Sequence, residues 1–250
     1  MENQVLNTEQ QPTLNNQRDM TLWQRLVGVI ANPGDTMTAI ATKPTILWPM
    51  VMVIFANVAV FLMTVPKLKE FLLITFEKLP KQQMPPEQIA ALKSYMAGNT
   101  AVLISGVSIV VIPLVAWLVY TLIFKLVNLF IGSEAPFKSL YAVSIMSSVP
   151  SVLGSLLRSI LIAISPGKDL GYISTSAAVL LPKGEIGPLF TFLSNIDPFR
   201  IWSLALLAIG AAAVLRTSAK KMGIVAAVLW LLMTAASVLM SLLAPQNPGA

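Results

Sequence analysis

Five long apolar runs leave this chain few folds to choose from. They cover residues 46–65, 101–124, 140–164, 199–215 and 223–243, and Arg158 is the one charge well inside any of them. A helix crosses ~30 Å of hydrocarbon with about 20 predominantly apolar residues. The runs are continuous, not alternating, so they read as helices and not strands. Hydrocarbon accepts only helices or closed barrels, because no water is present to satisfy an open backbone. Composition agrees: 56% of the 250 residues are hydrophobic and 11% are charged, against roughly 25% charged in a soluble domain. The expected fold is all-α, an integral membrane helical bundle with five transmembrane helices plus short amphipathic interfacial helices. Residues 1–19 form a polar, disordered cytoplasmic tail, residues 20–243 the five-span domain, and residues 244–250 a short extracytoplasmic tail.

The sequence contains neither Cys nor His. A thiolate or imidazole metal site, a disulfide and a Ser–His–Asp triad are therefore excluded. No acidic residue lies in the middle of a span, which disfavours a carboxylate proton relay. No GxxxxGK[ST] loop is present, so the chain is not itself a P-loop nucleotidase. The net charge of +6 is spread over loops without a basic–aromatic cluster. It suits anionic lipid headgroups and not nucleic acid. No catalytic, metal or cofactor site is expected. The start also lacks the apolar stretch of a secretory signal.

Orientation rests on Lys and Arg near the span ends. The raw count is even between the two sides. The short turn RTSAKKM (216–222) is dense in charge, whereas the tail APQNPGA (244–250) has none. This places the N-terminus in the cytoplasm and the C-terminus outside, with the long loops 66–100 and 165–198 external. The first of these loops reads as two short amphipathic helices with Pro86 opening the second. In the second, Leu189–Leu193 is apolar enough to dip into the interface.

Before the first span, Leu22, Trp23, Leu26, Val27 and Ile30 share one helical face, and Arg25 and Gly28 lie largely on the other. Such a helix either lies in the interface or packs on the bundle. Trp23, Arg25, Trp48, Lys125 and Trp202 are the expected interfacial anchors.

The third run carries the most polar pattern. Ser147, Ser151, Ser155 and Ser159 recur every four residues, with Arg158 beside them near the outer end. On one helix they form a stripe. The stripe is either a polar path for a solute or headgroup, or a small-residue surface for close helix packing. Packing is the more common use of such a stripe. Arg158 can also extend its stem toward the headgroups.

Several segments together resemble the bacterial Yip family. They are Leu26–Lys43 with Pro33 and Lys43-Pro44, the third-span opening SLYAVSIMSSVP (139–150), and IDPFRIWSLALLAIG (196–210) with its Phe-x-x-Trp-Ser core. The resemblance covers roughly residues 20–243 and implies a five-pass membrane protein. Eukaryotic members resemble one another as Rab-GTPase-interacting proteins of internal membranes. The acidic-aromatic cytoplasmic region tied to that binding has no clear counterpart here, so no partner-binding residue is carried over. The expectation is a non-enzymatic scaffold or adaptor in membrane organisation or trafficking, in a bacterial plasma membrane. Its partners would be the lipid bilayer, anionic headgroups and other membrane proteins or a second copy. A transporter or permease component using the third-span stripe is the alternative.

Overall fold

Prolines and small polar caps decide where this chain's helices start and stop. The structure, a computed structural model, describes residues 20–78, 85–166, 170, 172–182, 185 and 187–243. Both terminal tails lie outside the described residues. Helix α1 (Leu22–Ala31) opens on a reciprocal cap: Gln24 N donates to Thr21 Oγ1, and Thr21 N donates to Gln24 Oε1. This pair satisfies two otherwise orphaned N–H groups. Pro33 ends α1 and occupies the first position of α2 (Pro33–Thr42), where its missing N–H costs nothing.

Helix α3 spans Leu47–Lys78 without interruption. The sequence predicted a span ending at residue 65 and a separate helix in the loop. Instead Pro66 is accommodated inside α3. At 1.5 Å per residue it lies about 29 Å from Leu47, at the edge of the hydrocarbon, where water can satisfy the carbonyl that a proline frees. Helix α4 (Pro86–Ala97) begins with Pro86, as expected. Helix α5 (Thr100–Ile131) closes on Gly132, whose φ of 73° places it in the left-handed region that favours glycine.

The third apolar run is two helices, α6 (Phe137–Ser147) and α7 (Val149–Ile164), broken at Ser148. Pro150 has no N–H to continue the ladder. Hydroxyls satisfy the carbonyls around the break: Ser147 Oγ donates to Ser144 O at 2.8 Å and Ser148 Oγ to Ile145 O at 2.6 Å. A 3-10 turn (Ala177–Leu180) and α8 (Pro188–Ser194) precede α9 (Pro198–Leu215) and α10 (Ala219–Leu243). Five helical stretches are long and apolar enough to cross a membrane: Leu47–Glu77, Thr100–Ile131, Phe137–Ile164, Pro198–Leu215 and Ala219–Leu243. All regular structure among the described residues is helical.

Packing divides the bundle into two ends. At one end, α2 is wedged against α6 and α9. Met37 and Ile40 of α2, Val143 and Ile145 of α6, and Ala211 and Leu215 of α9 are all fully buried there. A Cβ on Gly210 would collide with Val143 Cγ1 and sit 3.2 Å from Met37 Sδ, so only glycine permits this approach. Ser139 Oγ ties α6 to α2 by donating to Ala41 O at 2.8 Å. Helix α2 is therefore part of the core. The opposite end carries the connections around residues 79–99 and 165–197. There Lys69 Nζ joins α3 to the start of α5 through Asn99 Oδ1, at 2.9 Å. This loop end is far less closely packed.

Candidate functional site

Three hollows occupy the loop half of the bundle, and Ser155 lines all of them. The first, of about 430 Å³, lies between α3, α5 and α7 and is walled by Val60, Phe61, Ile109, Ile112 and Ile162. The second, about 210 Å³, is bounded by Trp117, Tyr120, Ser144, Ser151 and Ser203. The third, about 380 Å³, lies under the connection to α9. Its walls include Ser174–Ser176, Ser194, Asp197 and Arg200. Arg158 lines the first and third hollows, and Arg200 the second and third.

The break at Ser148 separates Ser147 from the other three serines of the stripe. Ser147 is buried in α6. Ser151 shares a 2.8 Å hydrogen bond with Ser203 across to α9. Ser159 is buried and donates to Leu156 O, at 2.8 Å. Only the Ser155 hydroxyl makes no hydrogen bond among the described residues. Packing therefore accounts for Ser151, whereas Ser155 faces open space. Gly154 beside it meets α9 closely, since a Cβ there would lie 2.7 Å from the Phe199 ring.

Arg158 Nε donates to Ile173 O at 2.9 Å, which holds the incoming loop. Arg200 Nη1 donates to Asn195 Oδ1 at 2.6 Å. Asp197 sits between them but pairs with neither guanidinium within 4 Å. Its Oδ1 accepts from Phe199 N (2.9 Å) and Arg200 N (3.0 Å), capping α9, and its Oδ2 accepts from Thr175 Oγ1. Among the described residues, the remaining guanidinium donors of both arginines have no acceptor. The sequence pattern did not single out Arg200, which reads there as an ordinary charge at the mouth of a span. Asn57, donating to Val53 O at 2.9 Å, lines the first two hollows.

The expected anchors divide. Trp23 and Trp48 are exposed. Trp202 is half-buried and packs against the core. Lys125 remains exposed, yet its Nζ donates to Ala135 O at 2.9 Å and steadies the α5–α6 turn. Arg25 departs from the expectation. It is 5% exposed, and its guanidinium donates to Lys43 O (2.9 Å), Thr45 Oγ1 (3.1 Å) and Met20 O (3.2 Å). It clamps the α1–α2 hairpin and does not face headgroups. Trp23, Val27 and Ile30 point outward on the other side of α1.

Among the described residues, no cluster of three or more Asp or Glu could hold a metal. Asp197 is the one carboxylate lining the three hollows. The arrangement can bind an anion or a polar headgroup, and it offers no paired carboxylates for acid–base work.

The Yip1 domain model matches residues 27–240. Over 192 residues the chain is 27% identical to the protein called membrane protein YknW of Bacillus subtilis (strain 168), covering 74% of this chain and 76% of that one. No solved structure matches. With five candidate spans and a match across nearly all of the helical region, the chain belongs to the Yip1 domain family of membrane proteins.

Proposed function

We propose that this protein is a non-enzymatic scaffold or adaptor that organises other components of a bacterial plasma membrane. The observation that carries this reading is the closed α2 end. Helix α2 fills the space between α6 and α9 with fully buried side chains, so the hollows stop inside the bundle. A bundle that is solid at one end is suited to holding partners. The exposed stripe of Trp23, Val27 and Ile30 on α1 is the surface offered to them. The basic turn at Arg216, Lys220 and Lys221 belongs to this same end and favours placing it, with the N-terminus, in the cytoplasm.

A photo-crosslinker at position 23 of the full chain tests this in membranes. A discrete protein adduct that is absent when the crosslinker sits at exposed Phe55, inside the first span, supports the adaptor reading. Repeated mild-detergent pull-downs and crosslinks that return no partner count against it.

The meeting of three hollows at Ser155 favours a second reading, a permease component. Proteoliposomes carrying Arg158→Leu or Ser151→Ala would then lose solute flux. Unchanged flux in both variants removes that reading.

A further inference from the structure

The first and third hollows differ in a way that matches the two ends of an amphiphile. Around the first, away from the shared Ser155 and Arg158, three hydroxyls are bonded back to their own helices. Thr64 Oγ1 donates to Phe61 O (2.8 Å), Ser108 Oγ to Ile104 O (2.8 Å) and Ser159 Oγ to Leu156 O (2.8 Å). Hydroxyls bonded back to their own helix present little polarity to a cavity. What remains is an apolar slot between α3 and α5. Its size falls within the roughly 300–1,000 Å³ of ordinary ligand pockets.

The third hollow has the opposite character. Arg158 and Arg200 both line it, and each has donors without an acceptor among the described residues. Ser155 and Ser194 add hydroxyls with no partner among the described residues. Among the described residues the one carboxylate lining it, Asp197, already accepts three hydrogen bonds. The local balance is therefore positive, with planar donors suited to a phosphate or carboxylate. Ser155 and Arg158 belong to both hollows, so the charged part opens directly onto the apolar slot.

We infer that these two hollows form one binding site for an anionic lipid, with its headgroup between Arg158 and Arg200 and one acyl chain in the slot between α3 and α5. The site is independent of the adaptor reading, since it lies at the other end of the bundle from α1 and α2.

Native mass spectrometry of the full chain, stripped of lipid in mild detergent, tests the site. Phosphatidylglycerol and phosphatidylcholine of identical chains are titrated in parallel. The anionic lipid is expected to bind about tenfold more tightly, and Arg158→Gln with Arg200→Gln should abolish that preference. Ile109→Trp, which fills the slot and leaves both arginines intact, should weaken the anionic lipid by a similar factor. Lys220→Gln with Lys221→Gln should change nothing. Competition on the unaltered chain separates the sources of the anion. If inorganic phosphate or glycerol phosphate displaces the lipid as effectively as lysophosphatidylglycerol does, the chain slot plays no part and the inference fails. Equal retention of the two lipids by the unaltered chain also overturns it, whether or not the variants fold.

Discussion

The two ends of this bundle are made from the same helices and packed by opposite rules. From Ser139 to Ser147, α6 is buried at every position but Tyr141. Past the break at Ser148, α7 alternates between contact and open space, and Leu153, Leu156, Leu157 and Ile160 are exposed. Helix α9 repeats the contrast in reverse order, open near Pro198 and closed from Leu206 to Leu215. Lipid tails are as apolar as leucine, so hydrophobicity alone does not press helices together in a bilayer. Close approach through small residues does so at the α2 end, through Ala142, Gly210 and Ala211. At the loop end polar side chains hold connecting segments: Arg158 holds Ile173, Asp197 holds Thr175, and Trp230 Nε1 donates to Asn195 O at 3.2 Å. Fastening loops leaves hollows where fastening helices does not.

Overfilling the tight end should have the largest effect. Gly210→Val places methyl groups where Val143 and Met37 already stand. Overpacking of this kind costs about 3 kcal/mol or more when neighbours cannot move. Thermal unfolding in detergent should show a large drop in midpoint. A variant as stable as the parent would mean that the α2–α9 contact is not close-packed.

Removing the clamp on α1 comes next. Arg25→Met keeps the apolar stem and loses three hydrogen bonds from a buried guanidinium. Bonds to a charged group contribute about 1.5–3 kcal/mol each when broken singly, and a hairpin at the bundle edge can relax, so a total near 2–3 kcal/mol is expected. Limited proteolysis between α1 and α2 should accelerate before the bundle itself unfolds. Ser139→Val, which strips the Ala41 carbonyl of its partner at the same end, should cost about 1–1.5 kcal/mol in the same unfolding assay.

These effects show what the sequence could and could not reveal. The five spans and the proline start of α4 were legible, because they depend on local composition and backbone chemistry. The direction of α1 was not. Its apolar stripe marks a preferred face, but beside a membrane an apolar face can point to lipid as readily as to protein. The structure buries Arg25 and Val29 and leaves Trp23 outside. The serine stripe was legible as a packing surface but not as one continuous face, since Ser151 pairs with Ser203 while Ser147 lies in α6. Its four-residue spacing assumes one unbroken helix, and Pro150 removes the N–H on which that register depends. Arg200 became part of the site only through the returning 165–197 segment, a contact that no local pattern encodes.

A smaller effect, opposite in sign, is expected at the α9–α10 turn. Arg216 has φ 49° and ψ 45°, and it is the only non-glycine residue with positive φ among the described residues. The left-handed conformation costs an L-residue roughly 1–2 kcal/mol. Arg216 is exposed, so Arg216→Gly should raise stability by about 1 kcal/mol after glycine's extra unfolded-state entropy is counted. A lowered unfolding midpoint would show that the arginine side chain holds the turn by contacts that outweigh its backbone strain.

The smallest change should come from the residue that all three hollows share. Ser155→Val removes a hydroxyl with no partner and adds a methyl group to open space. Neither the loss of a hydrogen bond nor overpacking applies, so the unfolding midpoint should shift by no more than about 0.5 kcal/mol equivalent. The pair Ser139→Val and Ser155→Val makes the same chemical change at the two ends of one span. Unequal costs, with Ser139 the larger, are what a tight end and a hollow end require. Equal costs would mean that the loop end closes in the membrane, and the distinction between the two ends would then disappear.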